Sequence, residues 1–508
     1  MYGPTAPRGH TRREFLATGG VLAGALASVG PAAVWGREPV KARFLLDNDG
    51  TNLFAGTLTD DITACIEETV WECPANVTTY LLCPNACGRF LYPTRVGEVC
   101  PPAQVLAQAL ERGIDPFGML LGALRRSGKE TLITYRMNDV HGANEPDRPG
   151  TADFRKRYPD LVVDPAAAAG GTADWMSYCL DYSKEPVQDY ILAIIVELLS
   201  MYDVDGLQLD WMRFPRHLSG TPDEVWAKRS AITEFTAKVR RVLREFRGRD
   251  AVLSARIPTS AEGCRYLGLD VAEWTDQGLV DMLVLHPFLT TDFTMPVEHM
   301  RARAGGGSVP LYAGFDFGHG GQNHTPESLR GAATSLYDCG ADGIYVFNFP
   351  CWQEYVAARP YRWLEGLESP ETASENPLLL APPHSMHRIA NVDQPGCIPA
   401  PIPAEGALTV PIHIPARALP ITRALLLTQS GGDVTVEVNG VPTEELPALR
   451  RSELFPEHIA HDQPRPAMAD CRVFALDPAA LRAGPADITV RRACPQELSV
   501  MRLNLGLW

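Results

Sequence analysis

Carboxylates, imidazoles and guanidinium groups recur in this chain just after short apolar runs. Asp47-Asn48-Asp49 follow one such run, Arg136, Asn138, Asp139 and His141 another, and Asp210, Trp211 and Arg213 a third. Further along come Arg256 with Glu262 beyond it, then His286, then Tyr312 with Asp316 and His319, and finally Asn348 with Trp352. Cleaving a glycosidic bond needs two carboxyl groups, one to protonate the leaving oxygen and one to attack or to activate water. Asp210 can supply one of that pair, with Asp316 and Asp139 as competing acids for the other. Asp47, Arg136, Asn138, Asp139, His141, Trp211, Arg213, Arg256, His286, Tyr312, Asn348 and Trp352 form the expected substrate-binding set. Arg136, Arg213 and Arg256 can clamp a carboxylate or sulfate on a sugar, or each can pair with a neighbouring Asp and orient it. His141 and His286 can bond sugar hydroxyls or rest satisfied against the wall, and Trp211 and Trp352 can stack on sugar faces or pack.

The apolar runs themselves supply the scaffold. They are Phe44-Leu45-Leu46, Val77 to Leu82, Thr131 to Tyr135, Gly206 to Leu209, Val252 to Ala255, Met282 to Leu285, Leu311 to Gly314 and Gly343 to Phe347. Helical stretches separate them, and eight buried parallel strands alternating with helices predict a (β/α)8 TIM barrel, an α/β fold whose working residues stand at the C-terminal strand ends. Alternation within the fourth run sends Leu207 and Leu209 outward, and Gln208 and Asp210 toward the barrel axis. Asp205, at the opposite end of that run, reads as structural. Lys184 to Ser200 predicts a helix, apolar at Val187, Ile191, Ile194, Ile195 and Leu198. Thr221-Pro222-Asp223-Glu224 opens an amphipathic run to about Phe246, and Thr325-Pro326-Glu327 opens another before Leu336. Gly206, Gly278 and Gly340 sit at helix-to-strand returns, where a left-handed turn suits glycine.

Residues 37–367 are thus the expected barrel, 368–386 a linker rich in Ser, Pro, Glu and Asn, and 387–508 a small antiparallel β-sandwich. The sandwich rests on alternating runs such as Leu408 to Ile414, Val434 to Val438 before an Asn439-Gly440 turn, and Ile488-Thr489-Val490.

The segment from Tyr202 to Pro215, Tyr-Asp-Val-Asp-Gly-Leu-Gln-Leu-Asp-Trp-Met-Arg-Phe-Pro, resembles the D-G-(hydrophobic)-x-(hydrophobic)-D-(aromatic)-x-R-(aromatic)-P signature of glycosyl-hydrolase-like (β/α)8 proteins, distant relatives of the alpha-amylase clan. Leu180-Asp181-Tyr182-Ser183 and the order of strand ends are similar too, and the resemblance covers about Phe44 to Trp363. It implies a glycoside hydrolase with the nucleophile after the fourth strand, the acid after the fifth and a third carboxylate after the seventh. Those roles would fall to Asp210, Glu262 and Asp316. Glu262 departs from the pattern by lying past Pro258, beyond the strand end. The alternative reading, a catalytically silent carbohydrate-binding barrel, keeps the same rim without a competent second carboxylate.

Composition narrows the partners. With 46 Lys+Arg against 61 Asp+Glu the net charge is −15, and no basic stripe interrupts it. Nucleic acid and anionic membrane are therefore poor partners, and an oligo- or polysaccharide is the expected one. Thr11-Arg12-Arg13-Glu14-Phe15-Leu16 before a Gly/Ala-rich stretch resembles a twin-arginine export signal over residues 1–36, which implies a periplasmic or secreted protein. Among the 12 cysteines, Cys83, Cys87 and Cys100 are expected as a disulfide or buried thiols rather than a zinc site, since the spacing is not CxxC. Metal-dependent hydrolysis by Asp47, Asp49, Asp139 and His141 lacks any HxH or HExxH pair, so neither metal nor cofactor is expected.

Overall fold

The computed structural model describes residues 43–100, 104–143, 153–169, 174–305, 309–320, 322–354, 361–418, 420–447 and 471–508. The expected export signal lies outside the described residues.

Eight parallel strands close into a barrel: β1 (Leu45–Asn48), β2 (Thr79–Leu82), β3 (Glu130–Arg136), β4 (Gly206–Asp210), β5 (Val252–Ile257), β6 (Met282–Leu285), β7 (Leu311–Phe315) and β8 (Gly343–Val346). They match the eight apolar runs. Strands buried on both faces lose the polar-apolar alternation of a half-exposed strand, which is why they are visible as runs. The outer face packs against helices α1 (Ile62–Glu72), α2 (Pro116–Arg126), α3 (Glu185–Met201), α4 (Ser230–Arg247), α5 (Val271–Asp276), α6 (Val297–Arg303) and α7 (Pro326–Asp338). Leu207 and Leu209 join that outer core. The inner face is filled by Leu45, Leu81, Leu132, Val252, Met282, Val284, Tyr312 and Tyr345, with Phe347 just past the end of β8 closing the cluster toward the mouth. Gln208 points inward as expected: its Oε1 accepts from Thr134 Oγ1 at 2.9 Å and Tyr345 Oη at 3.2 Å, and its Nε2 donates to Ser254 Oγ at 3.1 Å. Four strands are thereby tied across the axis beneath the mouth.

α3 buries the five predicted apolar positions. The run opened by Thr221 is broken, however, into Pro222–Ala227 and α4. At the break Lys228 Nζ donates to the Ser219 carbonyl at 2.8 Å and Arg229 Nε to Asp270 at 2.8 Å, so the chain there turns toward neighbours rather than continuing its axis. Gly278 and Gly340 have φ of 62° and 95°, as a helix-to-strand return requires. Gly206 needs glycine for a different reason. It is the first residue of β4, and a Cβ there would stand 2.2 Å from the Val252 carbonyl oxygen. Asp205 is structural, its Oδ2 accepting from the Thr131 amide at 2.8 Å.

Beyond the barrel, β9 (Leu378–Leu380), β10 (Leu408–Ile414), β11 (Ala424–Gln429), β12 (Val434–Val438), β13 (Val441–Pro442), β14 (Glu444–Leu446), β15 (Cys471–Leu476), β16 (Gly484–Arg492) and β17 (Arg502–Leu507) form two antiparallel sheets. Their orders are β9-β17-β11-β15-β14 and β10-β16-β12-β13. Asn439 and Gly440 both take positive φ, the hairpin geometry expected between β12 and β13. The stretch read as a linker is structured: it holds the short helix Pro370–Ala373 and strand β9, which pairs with β17. Leu378 and Leu380 share one apolar core with the barrel's outer face, so the sandwich is docked rather than tethered. Among the described residues no helix is long and apolar enough to cross a membrane.

Candidate active site

Register builds the site. Arg136 at the end of β3, Asp210 at the end of β4 and Arg256 near the end of β5 are lateral partners, so three charged side chains stand abreast at the C-terminal rim. Asp210 is 1 % exposed; its Oδ1 accepts from the amides of Met212 (2.9 Å) and Arg213 (3.1 Å), and its Oδ2 from Arg256 Nη1 at 2.9 Å. The Arg256 guanidinium lies 3.8 Å above the Phe347 ring centre, and its Nη2 is 3.0 Å from His286 Nδ1. Burial, with Arg256 adjacent, holds His286 well below the usual imidazole range, so it is a neutral partner, 3.1 Å from the Phe315 carbonyl through Nε2.

Arg136 is equally committed. Its Nη1 donates to Asp139 Oδ2 and its Nη2 to Asp49 Oδ2, both at 2.9 Å. Asp49 also accepts from the Thr51 hydroxyl, Asn348 Nδ2 (3.0 Å) and Cys351 Sγ (3.2 Å). Burial alone would raise Asp49, but Arg136 and Thr51 outweigh it and hold the group down at about 2. Asp139 follows the same logic: burial opposes ionisation, and His141 and Arg136 overcome it, keeping the group well below the usual range. His141 Nδ1 donates to Asp139 Oδ1 at 2.5 Å, which leaves Nε2 to accept from Arg213 Nη2 at 2.8 Å.

Two carboxyl groups behave oppositely. Burial lifts Asp47 to about 7; Arg256 pulls it back, Asp210 pushes it further up, and Arg136 and Tyr345 pull it down. Burial lifts Asp316 to about 6, against the Phe317 amide, Arg256 and Arg213. Asp316 Oδ1 accepts from the Phe317 amide at 2.7 Å, while Oδ2, like Asp47 Oδ2, is buried with no hydrogen-bond partner. A buried carboxyl oxygen without a donor is costly unless it carries a proton or meets a ligand.

Asp47, Arg136, Asp139, His141, Asp210, Arg213, Arg256, His286, Asp316 and Asn348 are therefore linked at the mouth by contact or by direct electrostatic influence. Other residues of the expected set face elsewhere. Asn138 is wholly buried, its Oδ1 accepting from the Leu180 amide and its Nδ2 donating to the Arg216 carbonyl; it fastens two loops together. Trp211 follows the inward Asp210 and so turns outward, where Tyr182, His217 and Trp274 enclose it completely; it packs and presents no face to a sugar. Tyr312 is inward but sits opposite the first residue of β8, deep in the barrel, where it bonds Arg43. Glu262 is exposed at the start of the short helix Ala261–Leu267 and lines a groove of about 830 Å³ with His299, Ser385, Arg388 and Asn391. β5 continues to Ile257, and the chain then turns away into that helix. The side chain of Trp352 lies outside the described residues, although its backbone is in the turn Phe349–Glu354.

Sequence reasoning missed Phe347 and Trp175, and considered Cys87 only with Cys83 and Cys100. Phe347, under Arg256, reads only as the end of an apolar run. Trp175, 38 % exposed beside His141 and Phe214, opens the single 3-10 turn Trp175–Tyr178, too short to carry a period that would mark it. Cys87, in the tight turn between the hairpin strands Asn85–Ala86 and Arg89–Phe90, comes within 4.8 Å of the donor atoms of Asp139 and His141. An ion among those three side chains would compete with Arg136 and His141 for the Asp139 oxygens and with Arg213 and Asp139 for the His141 nitrogens, and two guanidinium groups oppose a cation there. Cys83 and Cys100 are buried thiols outside any disulfide.

No protein-family model matches the chain, and no curated protein matches it in sequence. Solved structures similar to it include alpha-L-fucosidase isoenzyme 2 from Paenibacillus thiaminolyticus, at 14 % identity and a TM-score of 0.44 over 65 % of this chain. That match spans half the length of the fucosidase, 50 % of its chain. The PgaB (BpsB) glycoside hydrolase domain from Bordetella bronchiseptica is similar at 12 % identity and a TM-score of 0.44, covering 65 % of this chain and 99 % of that one. A noncanonic maltogenic alpha-amylase AmyB from Thermotoga neapolitana is similar at 8 % identity and a TM-score of 0.36, covering 88 % of this chain and 98 % of that one.

Proposed function

We propose that this protein is an exported glycoside hydrolase that cleaves an oligo- or polysaccharide with a pair of differentiated carboxyl groups. One observation carries the reading: Arg256 stands between two carboxyls in opposite conditions. Asp210 is ion-paired to it, with every oxygen occupied. Asp316 feels the same arginine without pairing with it, keeps one oxygen unpartnered, and is lifted by burial to about 6. An ion-paired carboxylate beside a carboxyl that keeps its proton divides anion and acid roles with it. Asp316 gives its proton to the glycosidic oxygen as the bond to the anomeric carbon breaks, Asp210 supplies the negative charge that faces the developing oxocarbenium ion, and water then forms the new bond to that carbon and returns a proton to Asp316. Asp47, protonated below about 7, offers a donor to a sugar hydroxyl beside Asp210. The twin arginines Arg12 and Arg13 support export of the chain to the periplasm or beyond.

The test is release of reducing ends from a panel of neutral, uronate-containing and sulfated polysaccharides. Asp210→Asn should keep the fold and sugar affinity while lowering turnover by about 100-fold or more. The second reading, a silent sugar-binding barrel, draws on the saturated hydrogen bonding of Asp210. Silence across the panel with sugar binding retained would favour it.

A further inference from the structure

Three arginines reach the barrel mouth, and two of them are committed to carboxylates. Arg136 holds Asp49 and Asp139, and Arg256 holds Asp210. Arg213 differs. Among the described residues it forms no ion pair; its side-chain hydrogen bond goes to His141 Nε2 at 2.8 Å, and its Nε is buried without a partner. Burial is the largest influence on it and, with the like charge of Arg136, weakens its hold on its proton, while Asp139, Asp49 and Asp316 compensate only at longer range. A part-buried guanidinium without a directly paired carboxylate gains a counter-ion when an anion arrives, and its planar fork suits a two-point contact.

The surroundings of Arg213 suit a sugar ring. Phe214 has a φ of 53°, a strained conformation for a residue with a side chain, and the turn sets its ring against Arg213, 5.4 Å from the guanidinium carbon. The same ring meets His141 edge-on at 4.6 Å and Trp175 at 5.9 Å. Trp175 is the exposed member of this cluster and offers an apolar face at the rim.

We propose that Arg213, His141 and Trp175 form a subsite for a sugar bearing a carboxylate or sulfate, with Arg213 taking the anionic group and Trp175 packing on the ring. This inference rests on the carbohydrate reading above and adds the substrate class. His141, oriented by Asp139, keeps the guanidinium in place and stays beside it when the anion binds.

The experiment measures calorimetric affinity and reducing-end release for a panel of uronate tetrasaccharides, each beside its carboxyl-reduced neutral counterpart, and for sulfated oligosaccharides of the same length. The wild type should bind a charged member at least about tenfold more tightly than its neutral counterpart, with the preference shrinking as salt rises. Arg213→Gln should abolish that preference, and Arg213→Lys should keep part of it, because a point charge lacks the fork. Comparing the uronate and sulfate arms tells which anion is taken. Equal wild-type affinity for charged and neutral members throughout the panel, or equal losses on both in Arg213→Gln, overturns the proposal. If Arg213→Gln does not fold, the wild-type preference and Arg213→Lys decide the matter. Charged binding without any release overturns the hydrolase reading and leaves this subsite standing; release from neutral glycans with no preference for charge does the reverse.

Discussion

Replacing Asp47 by asparagine should change how the stability of the fold responds to pH. Its carboxyl is buried with Oδ2 unpartnered, and burial lifts it from an ordinary 3.8 to about 7. Between about pH 4 and 7 the folded chain therefore holds a proton that the unfolded chain has released. That raised pKa contributes stability that is fully present below the unfolded value and is lost as pH rises through the folded one. At about 1.4 kcal/mol per unit of difference, integrating from pH 5 to pH 8 gives a loss of about 2 to 3 kcal/mol attributable to this group. Asparagine removes the ionisation whatever its own fixed cost, and the raised groups Asp316 and Asp393 act equally in both proteins. Urea unfolding midpoints read by tryptophan fluorescence at the two pH values give the comparison, since Trp211 and Trp274 are buried together between the barrel wall and its helices. The wild type should weaken by about 2 to 3 kcal/mol more than Asp47→Asn over that interval. Parallel pH dependence in the two proteins would refute the account of Asp47.

Gly206→Ala should lower stability by about 2 kcal/mol or more, because its Cβ would meet the Val252 carbonyl oxygen at 2.2 Å within paired strands. A melting temperature equal to the wild type's would contradict that requirement. Chelators should change activity by less than about twofold, since the Asp139 and His141 donor atoms are engaged by Arg136, by Arg213 and by each other. Abolition of activity, restored by a divalent metal, would instead assign Cys87, Asp139 and His141 as ligands.

The barrel was legible because each parallel strand is buried on both faces and survives as an apolar run, and because alternation within β4 fixes the direction of Gln208 and Asp210. Alternation gives direction but not height. Tyr312 and Asp210 both point inward, yet Tyr312 lies near the start of its strand and reaches Arg43, while Asp210 ends its strand and reaches the mouth. Pairing among the arginines was open in sequence and resolves by register: Asp210 takes Arg256 across the β4–β5 ladder, not the nearby Arg213. Glu262 illustrates the limit of carrying a strand order over from a resemblance, because the local chain after Ile257 turns into a helix whose start faces the groove with Ser385. Trp175 could not be found by period, since the four-residue 3-10 turn Trp175–Tyr178 is too short to show one.

The most direct test of the central claim is the pH dependence of kcat/KM on the best substrate of the panel, for the wild type and Asp316→Asn. With Asp316 as the acid, wild-type kcat/KM should fall as pH rises through about 6. The variant should be slower by about 100-fold or more and should lose that alkaline fall. A variant that keeps the wild-type rate, or one that keeps the same fall with pH, would contradict the assignment of Asp316 as the proton donor.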